Sequence, residues 1–362
     1  MKPSNRQFVG HDQPATRANA TGLPFQRGFS LIELMISITI GLVILIALST
    51  LFINQSRARI EMDKSNRMID NGRYALQLLS DDLRQAGYYG EFVPASGVPA
   101  VPSSLPDPCS VTATDMANAD GAFALQLPVQ GYATTLTTTA TFSPACAAIA
   151  TANSVTLKPG SDIVVVRRVS TATPIVQSVG LSGVFYLQAS LCQYDSVPFK
   201  IDTNPANLTL RQLGCTATST TPYANLRQFM VDVYFVSQDD KAGDGIPTLK
   251  EIQIDPNTQN FVVTPLVEGI EYMQLEYGLD TNGDGIADNY ITGPATADWP
   301  NVVAVKMHLL ARNTESTRNY TDTKTYSLGP AGSVTPSGAN AHYKRHVYSQ
   351  YIRMVNTAGR RE

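Results

Sequence analysis

The chain has 362 residues, 43% of them hydrophobic and 16% charged, a balance that excludes wholesale disorder. Its net charge of −3 is unevenly placed. Lys2, Arg6, Arg17 and Arg27 against Asp12 give residues 1–28 a net of +3, so the remainder carries −6; a mildly acidic body excludes a general nucleic-acid binder.

The first element decides the class. From Leu34 to Ser56 the chain runs 23 residues without a charge. As a helix this run spans roughly 34 Å, enough for a bilayer core of about 30 Å. A helix of a soluble core rarely stays apolar on every face for so long. A cleaved secretory signal would need a small-residue cleavage site after the run. The run instead continues into Asn54-Gln55-Ser56-Arg57. A retained anchor with its basic leader in the cytoplasm fits better, although Arg57 and Arg59 make the far flank basic too. Glu33 stands at the start of the run. Two readings of it stay open: a carboxylate at headgroup level near the positive helix end, or one that needs a partner charge from another chain.

No proline occurs between Pro24 and Pro94, and Met68, Gly72, Ala75, Leu79, Leu83 and Ala86 recur at spacings of three and four. The helix therefore continues as an amphipathic one to about Ala86, with Gly87 as its stop. Residues 94–160, rich in Pro, Ala, Thr and Ser, read as irregular with short strands such as Ala122–Pro128. Strand-like runs follow at Asp162–Ser170, Gly183–Ala189, Gln228–Ser237, Leu249–Ile254, Met273–Gly278, Val302–Arg312 and Val347–Val355. Helix and strands segregate along the chain, so the fold class is α+β.

Four cysteines, Cys109, Cys146, Cys192 and Cys215, all follow the apolar run, and none forms a C-x-x-C pair. Export makes two disulfides the natural reading. Sequence order suggests Cys109–Cys146 and Cys192–Cys215, one of three connectivities; four reduced, buried thiols are the bland alternative. Asp280, Asn282, Asp284, the Ile286 carbonyl and Asp288 have the spacing of a calcium loop, with Gly285 at its turn. The twelfth position is Ile291, not Glu, so calcium competes with a plain acidic hairpin turn. Asp239–Gly245 reads as a second acidic turn. Of the histidines His11, His308, His342 and His346, none falls in a metal motif. No catalytic or nucleotide fingerprint is present, so no enzyme is expected and no cofactor is required.

Gly28-Phe29-Ser30-Leu31-Ile32-Glu33 resembles the leader signature of type IV pilins and type II secretion pseudopilins. The resemblance implies that prepilin peptidase cuts between Gly28 and Phe29 and methylates the new Phe29 amine. It also implies that Glu33, the fifth mature residue, pairs with the amine of a neighbouring subunit, which would offset the desolvation of both charges. The fold it implies is a long N-terminal helix, transmembrane in its first half, packed on an antiparallel β-sheet with a loop-rich insertion.

Leu266–Glu271 leading into Gln274–Asp280, then Trp299 before Pro300–Met307, looks like the PilW-type minor pilins and their GspJ-type pseudopilin counterparts. Gly243–Lys250 and Asp70–Tyr89 resemble PilW-type chains as well. The implied domains are a leader (1–28), a transmembrane assembly helix (29–56), its amphipathic continuation (57–88) and a periplasmic β-rich domain (89–362). The expected function is priming of type IV pilus assembly from the inner membrane, with a place at the pilus tip. The expected partners are prepilin peptidase, other minor pilins, the major pilin and the pilus assembly platform, with no specific nucleic acid. The alternatives are a type II secretion pseudopilin and a calcium-dependent tip adhesin or DNA-uptake component.

Overall fold

A computed structural model describes residues 28–94, 105–110, 125–255 and 260–361. The leader with His11, and the first residues of the Ala122–Pro128 run, lie outside the described residues. The chain divides into two compact units between Ala58 and Arg59.

Helix α1 (Leu31–Gln85) has 55 residues and contributes to both units. It starts behind Ser30, whose Oγ accepts the Glu33 N–H at 3.2 Å, satisfying one of the donors that a helix start leaves free. Just beyond its end Gly87 takes φ +76°, a conformation that favours glycine. Within the second unit the helix buries Met68, Gly72, Ala75, Leu79, Ser80, Asp82 and Leu83. Leu79 and Leu83 are almost fully buried, worth about 1.5–3 kcal/mol each.

Two main sheets stand where a single one was expected. The larger has seven antiparallel strands: β1 (Val129–Tyr132), β2 (Ile163–Val169), β3 (Tyr186–Ala189), β4 (Phe199–Asp202), β5 (Leu226–Ser237), β6 (Thr248–Ile254) and β7 (Phe261–Glu268). Strand β5 is the hub, pairing with β2, β3 and β6. The second sheet has the order β13-β10-β8-β9, from β8 (Ile270–Leu279), β9 (Asn289–Ile291), β10 (Val302–Arg312) and β13 (Arg345–Arg353). A small ribbon joins β11 (Tyr326–Ser327) to β12 (Ser333–Val334).

The larger sheet is covered on both faces. Val164 and Val166 of β2 join a core with Ala75, Leu79 and Leu83 of α1. Ile163, Val165 and Val169 join a second core on the opposite face. Burial of both faces explains a near-continuous valine run in place of apolar–polar alternation. That second core also holds Cys109, together with Cys146 and Ala150 from helix α2 (Pro144–Ala152).

Several expected boundaries shift. The strand expected at Ala122–Pro128 is instead β1, which begins after Pro128. The run from Gly183 pairs only from Tyr186, Gly183 itself having φ +91°. The last strand ends at Arg353 and is followed by the short helix α3 (Val355–Ala358). Helix α2 lies in the stretch read as irregular, and β4, β7 and β9 were not anticipated. Strand β7 carries Pro265 and pairs only with β6, as an edge position allows.

The segment before β2 ties the sheets together. Asp162 donates its N–H to the Met273 carbonyl at 2.8 Å. Its two carboxylate oxygens accept the N–H groups of Thr134 (2.8 Å) and Leu275 (2.9 Å). Ser161 Oγ accepts the Met273 N–H at 2.8 Å, and Gln274 Nε2 donates to the Gly160 carbonyl at 2.7 Å.

Candidate functional site

Among the described residues, the first unit is an apolar helix with a single carboxylate at its start. Phe29 is 83% exposed and Leu31 77%. The large side chains from Ile32 to Ile53 are exposed around the whole helix. Such a surface is unstable in water and is satisfied by lipid or by other helices. Ser30 and Glu33 occupy the N-cap and N3 positions, the spacing of a capping box. That places the Glu33 carboxylate at the positive end of the helix dipole. Among the described residues no cationic side chain pairs with it. Gly28 and Phe29 precede the helix and are exposed.

In the second unit the four cysteines are paired. The structure joins Cys109 to Cys146, with Cα atoms 5.0 Å apart, and Cys192 to Cys215, 5.7 Å apart. Asp107 supports the first pair: its carboxylate accepts the Cys109 N–H (3.0 Å), the Ser143 hydroxyl (2.7 Å) and the Ala145 N–H (2.8 Å). It therefore caps α2 from outside the helix. Asp107, Cys109 and Cys146 bring three metal-type ligand atoms within 4.8 Å of one another, but both sulfurs are engaged in the disulfide.

The Asp280–Asp288 loop gathers its polar groups around one another. Asp280 is buried and accepts the N–H groups of Gly283 (2.6 Å), Asp284 (3.2 Å) and Gly285 (3.0 Å). Arg361 reaches the same carboxylate at 3.2 Å and also donates to the Pro300 carbonyl and Asn301 Oδ1, both at 2.8 Å. Burial alone would raise the Asp280 carboxyl, but these N–H groups and the Arg361 guanidinium hold it below its ordinary value. Asn282 Nδ2 donates to Asp284 (3.2 Å) and Asp288 (3.3 Å), and Thr281 holds the other Asp288 oxygen through its N–H at 2.7 Å. The positions read as calcium ligands thus share one loop, and a C-terminal arginine supplies a cation to the first of them. The Asp239–Gly245 stretch is a turn: Asp244 accepts the N–H groups of Asp240, Lys241 and Ile246.

The C-terminus also finishes α1. Asn356 Nδ2 donates to the carbonyls of Gln85 (3.3 Å) and Ala86 (3.4 Å), and Arg360 donates to that of Gly87 at 3.0 Å. Carbonyls that a helix end leaves free are thereby satisfied. Two features escaped the sequence. Ser30-x-x-Glu33 is a capping-box signal that was legible; the role of Arg361 had no local signal.

The model of the prokaryotic N-terminal methylation motif matches residues 24–49. The model of type IV pilus-assembly protein W matches residues 233–356, from within β5 to the start of α3. None of the curated proteins matches the chain. A solved type IV-like pilin from Thermus thermophilus is 13% identical, covering 56% of this chain and 83% of its own, with a TM-score of 0.26. Motif and exposed apolar helix together make a single-pass inner-membrane anchor. A methylation-motif match near the N-terminus and a type IV pilus-assembly protein W match over residues 233–356 make the chain similar to the PilW-type minor pilins of the type IV pilus.

Proposed function

We propose that prepilin peptidase removes residues 1–28, cutting between Gly28 and Phe29 and methylating the Phe29 amine. The mature chain is held with its N-terminus at the cytoplasmic side and residues from Arg59 onward in the periplasm. There it primes pilus assembly with other minor pilins and ends at the tip. Its role is structural: the helix packs among partner helices, and Glu33 pairs with a partner's N-terminal amine. The observation that carries this reading is the helix start. It presents apolar side chains on every face and one carboxylate that no described cation balances, inside a matched methylation motif. In a bundle of such helices that carboxylate is cheap only when paired. A Glu33→Ala variant should reach the membrane and be processed, yet restore piliation of a deletion strain poorly. Normal piliation with Glu33→Ala would remove the pairing role and leave the anchor standing.

A further inference from the structure

The outer part of α1 meets the larger sheet through charge as well as through Leu79 and Leu83. Asp82 is 6% exposed. Its carboxylate pairs with the Arg168 guanidinium of β2 and accepts the Tyr234 hydroxyl of β5 at 3.1 Å. Arg168 Nη2 also lies 3.4 Å from Oδ2 of Asp232 on β5, a residue only 2% exposed. Glu251 of β6 stands directly opposite Tyr234 in the sheet register and is 7% exposed. Four elements therefore enclose three carboxyls around one guanidinium. At the rim Asp81 pairs with Arg84 of the same helix at 3.4 Å, both about half exposed. Among the described residues no second cation pairs with the three inner carboxyls.

One guanidinium neutralises one carboxylate. With all three ionised, the buried group would carry a net charge of −2, and burying unpaired charge is strongly unfavourable. The lower-energy state keeps protons on the surplus carboxyls. Burial raises Asp82, Asp232 and Glu251 alike, and for Asp232 the neighbouring Asp82 and Glu251 raise it further. Arg168 stays charged: burial opposes it, but Asp82 and Asp232 outweigh that and raise it. A groove of about 380 Å³ lined by Tyr74, Leu78, Asp82, Arg168 and Tyr234 lets solvent reach the cluster.

We propose that Asp82, Arg168, Asp232 and Glu251 form a proton-dependent latch between α1 and the sheet, its surplus carboxyls protonated while the helix is docked and losing those protons when the helix lifts away. Acid then strengthens the docking and alkali weakens it. The sign follows from linkage. The carboxyls are raised in the folded chain above ordinary values near 3.9–4.3, so their contribution is complete below that range and is lost as pH rises through the raised values. Asp162 titrates in the same direction but is retained in both variants below, so it cancels in the comparison.

The test is chemical unfolding of the full chain in detergent micelles from pH 5 to 9, for wild type, Asp232→Asn and Glu251→Gln. The unfolding constant of the wild type should rise with pH, by up to about tenfold per pH unit for each proton taken up on folding. Asp232→Asn should flatten that slope and be more stable than wild type at pH 9. If Asp232→Asn does not fold, Glu251→Gln carries the same comparison. Slopes equal to the wild type's in the folded variants, or a variant equally destabilised at pH 5 and pH 9, would overturn the latch.

Discussion

Gly72 gives the sharpest test of how α1 packs, because propensity and packing predict opposite signs. On an ordinary helix surface Gly→Ala stabilises by about 1 kcal/mol. Here a Cβ on Gly72 would fall 2.7 Å from Cζ and 3.0 Å from Cδ2 of the Tyr348 ring, with Cε2 nearer still. The ring has little room to yield: its hydroxyl donates to the Ile69 carbonyl at 3.2 Å, and it packs edge-to-face with the His346 ring, centres 4.7 Å apart. Overpacking of this kind costs about 1–3 kcal/mol, which outweighs the propensity gain over most of that range. Gly72→Ala should therefore be net destabilising, by up to about 2 kcal/mol. In a Tyr348→Ala background the same change should stabilise by about 1 kcal/mol. The assay is denaturant unfolding of the full chain followed by circular dichroism, arranged as a double-mutant cycle. Stabilisation by Gly72→Ala alone would refute the close approach of α1 to β13.

Asp162→Asn leaves one of the Thr134 and Leu275 N–H groups facing an amide donor, and should destabilise by about 1–3 kcal/mol at pH 5. Burial pushes the Asp162 carboxyl up to about 7, so the wild type loses stability as pH rises through that value. Thermal midpoints should show the gap to Asp162→Asn narrowing between pH 5 and pH 8; a widening gap would contradict the assignment. Arg361→Ala should cost about 1–3 kcal/mol by denaturant unfolding, since Asp280 keeps three N–H donors but loses its cation. Wild-type stability should not respond to ~10 mM calcium, a level well above the ~0.1–1 mM dissociation constants of weak sites, because Arg361 already serves Asp280. A clear rise in midpoint would show that the loop takes the ion.

The helix was legible because its two surfaces write different patterns. Residues Leu34 to Ser56 show no periodicity at all, whereas Met68, Gly72, Ala75, Leu79 and Leu83 repeat at helical spacing and are all buried. The strong strands were legible from β-branched runs; Val302–Arg312 coincides with β10. Helix α2 was not, because PACAAIATA has no polar face to set a period. It is held by the Cys109–Cys146 bond and by the Asp107 cap, both distant in sequence. Strand β7 was hidden by Pro265, which is tolerated because, among the described residues, β7 pairs with β6 alone. The latch residues were invisible for another reason. Arg168, Asp232 and Glu251 each look like a solvent-facing residue of a strand, and only the registers of β2, β5 and β6 bring them under Asp82.

Of the candidate site, Glu33 and the Gly28–Phe29 junction stand out in the sequence because the leader signature is contiguous and lies inside the matched methylation motif. The Asp280–Asp288 spacing marks one loop, but nothing in those nine residues announces Arg361. Its contact depends on where α3 returns the chain, which is a property of the whole fold.

The central claim is most directly tested by intact-mass and N-terminal mass spectrometry of the protein extracted from membranes with prepilin peptidase present and absent. With the peptidase, the chain should begin at N-methylated Phe29 and lack residues 1–28; without it, the leader should remain. A different N-terminus, or a leader retained in the presence of the peptidase, would contradict the account.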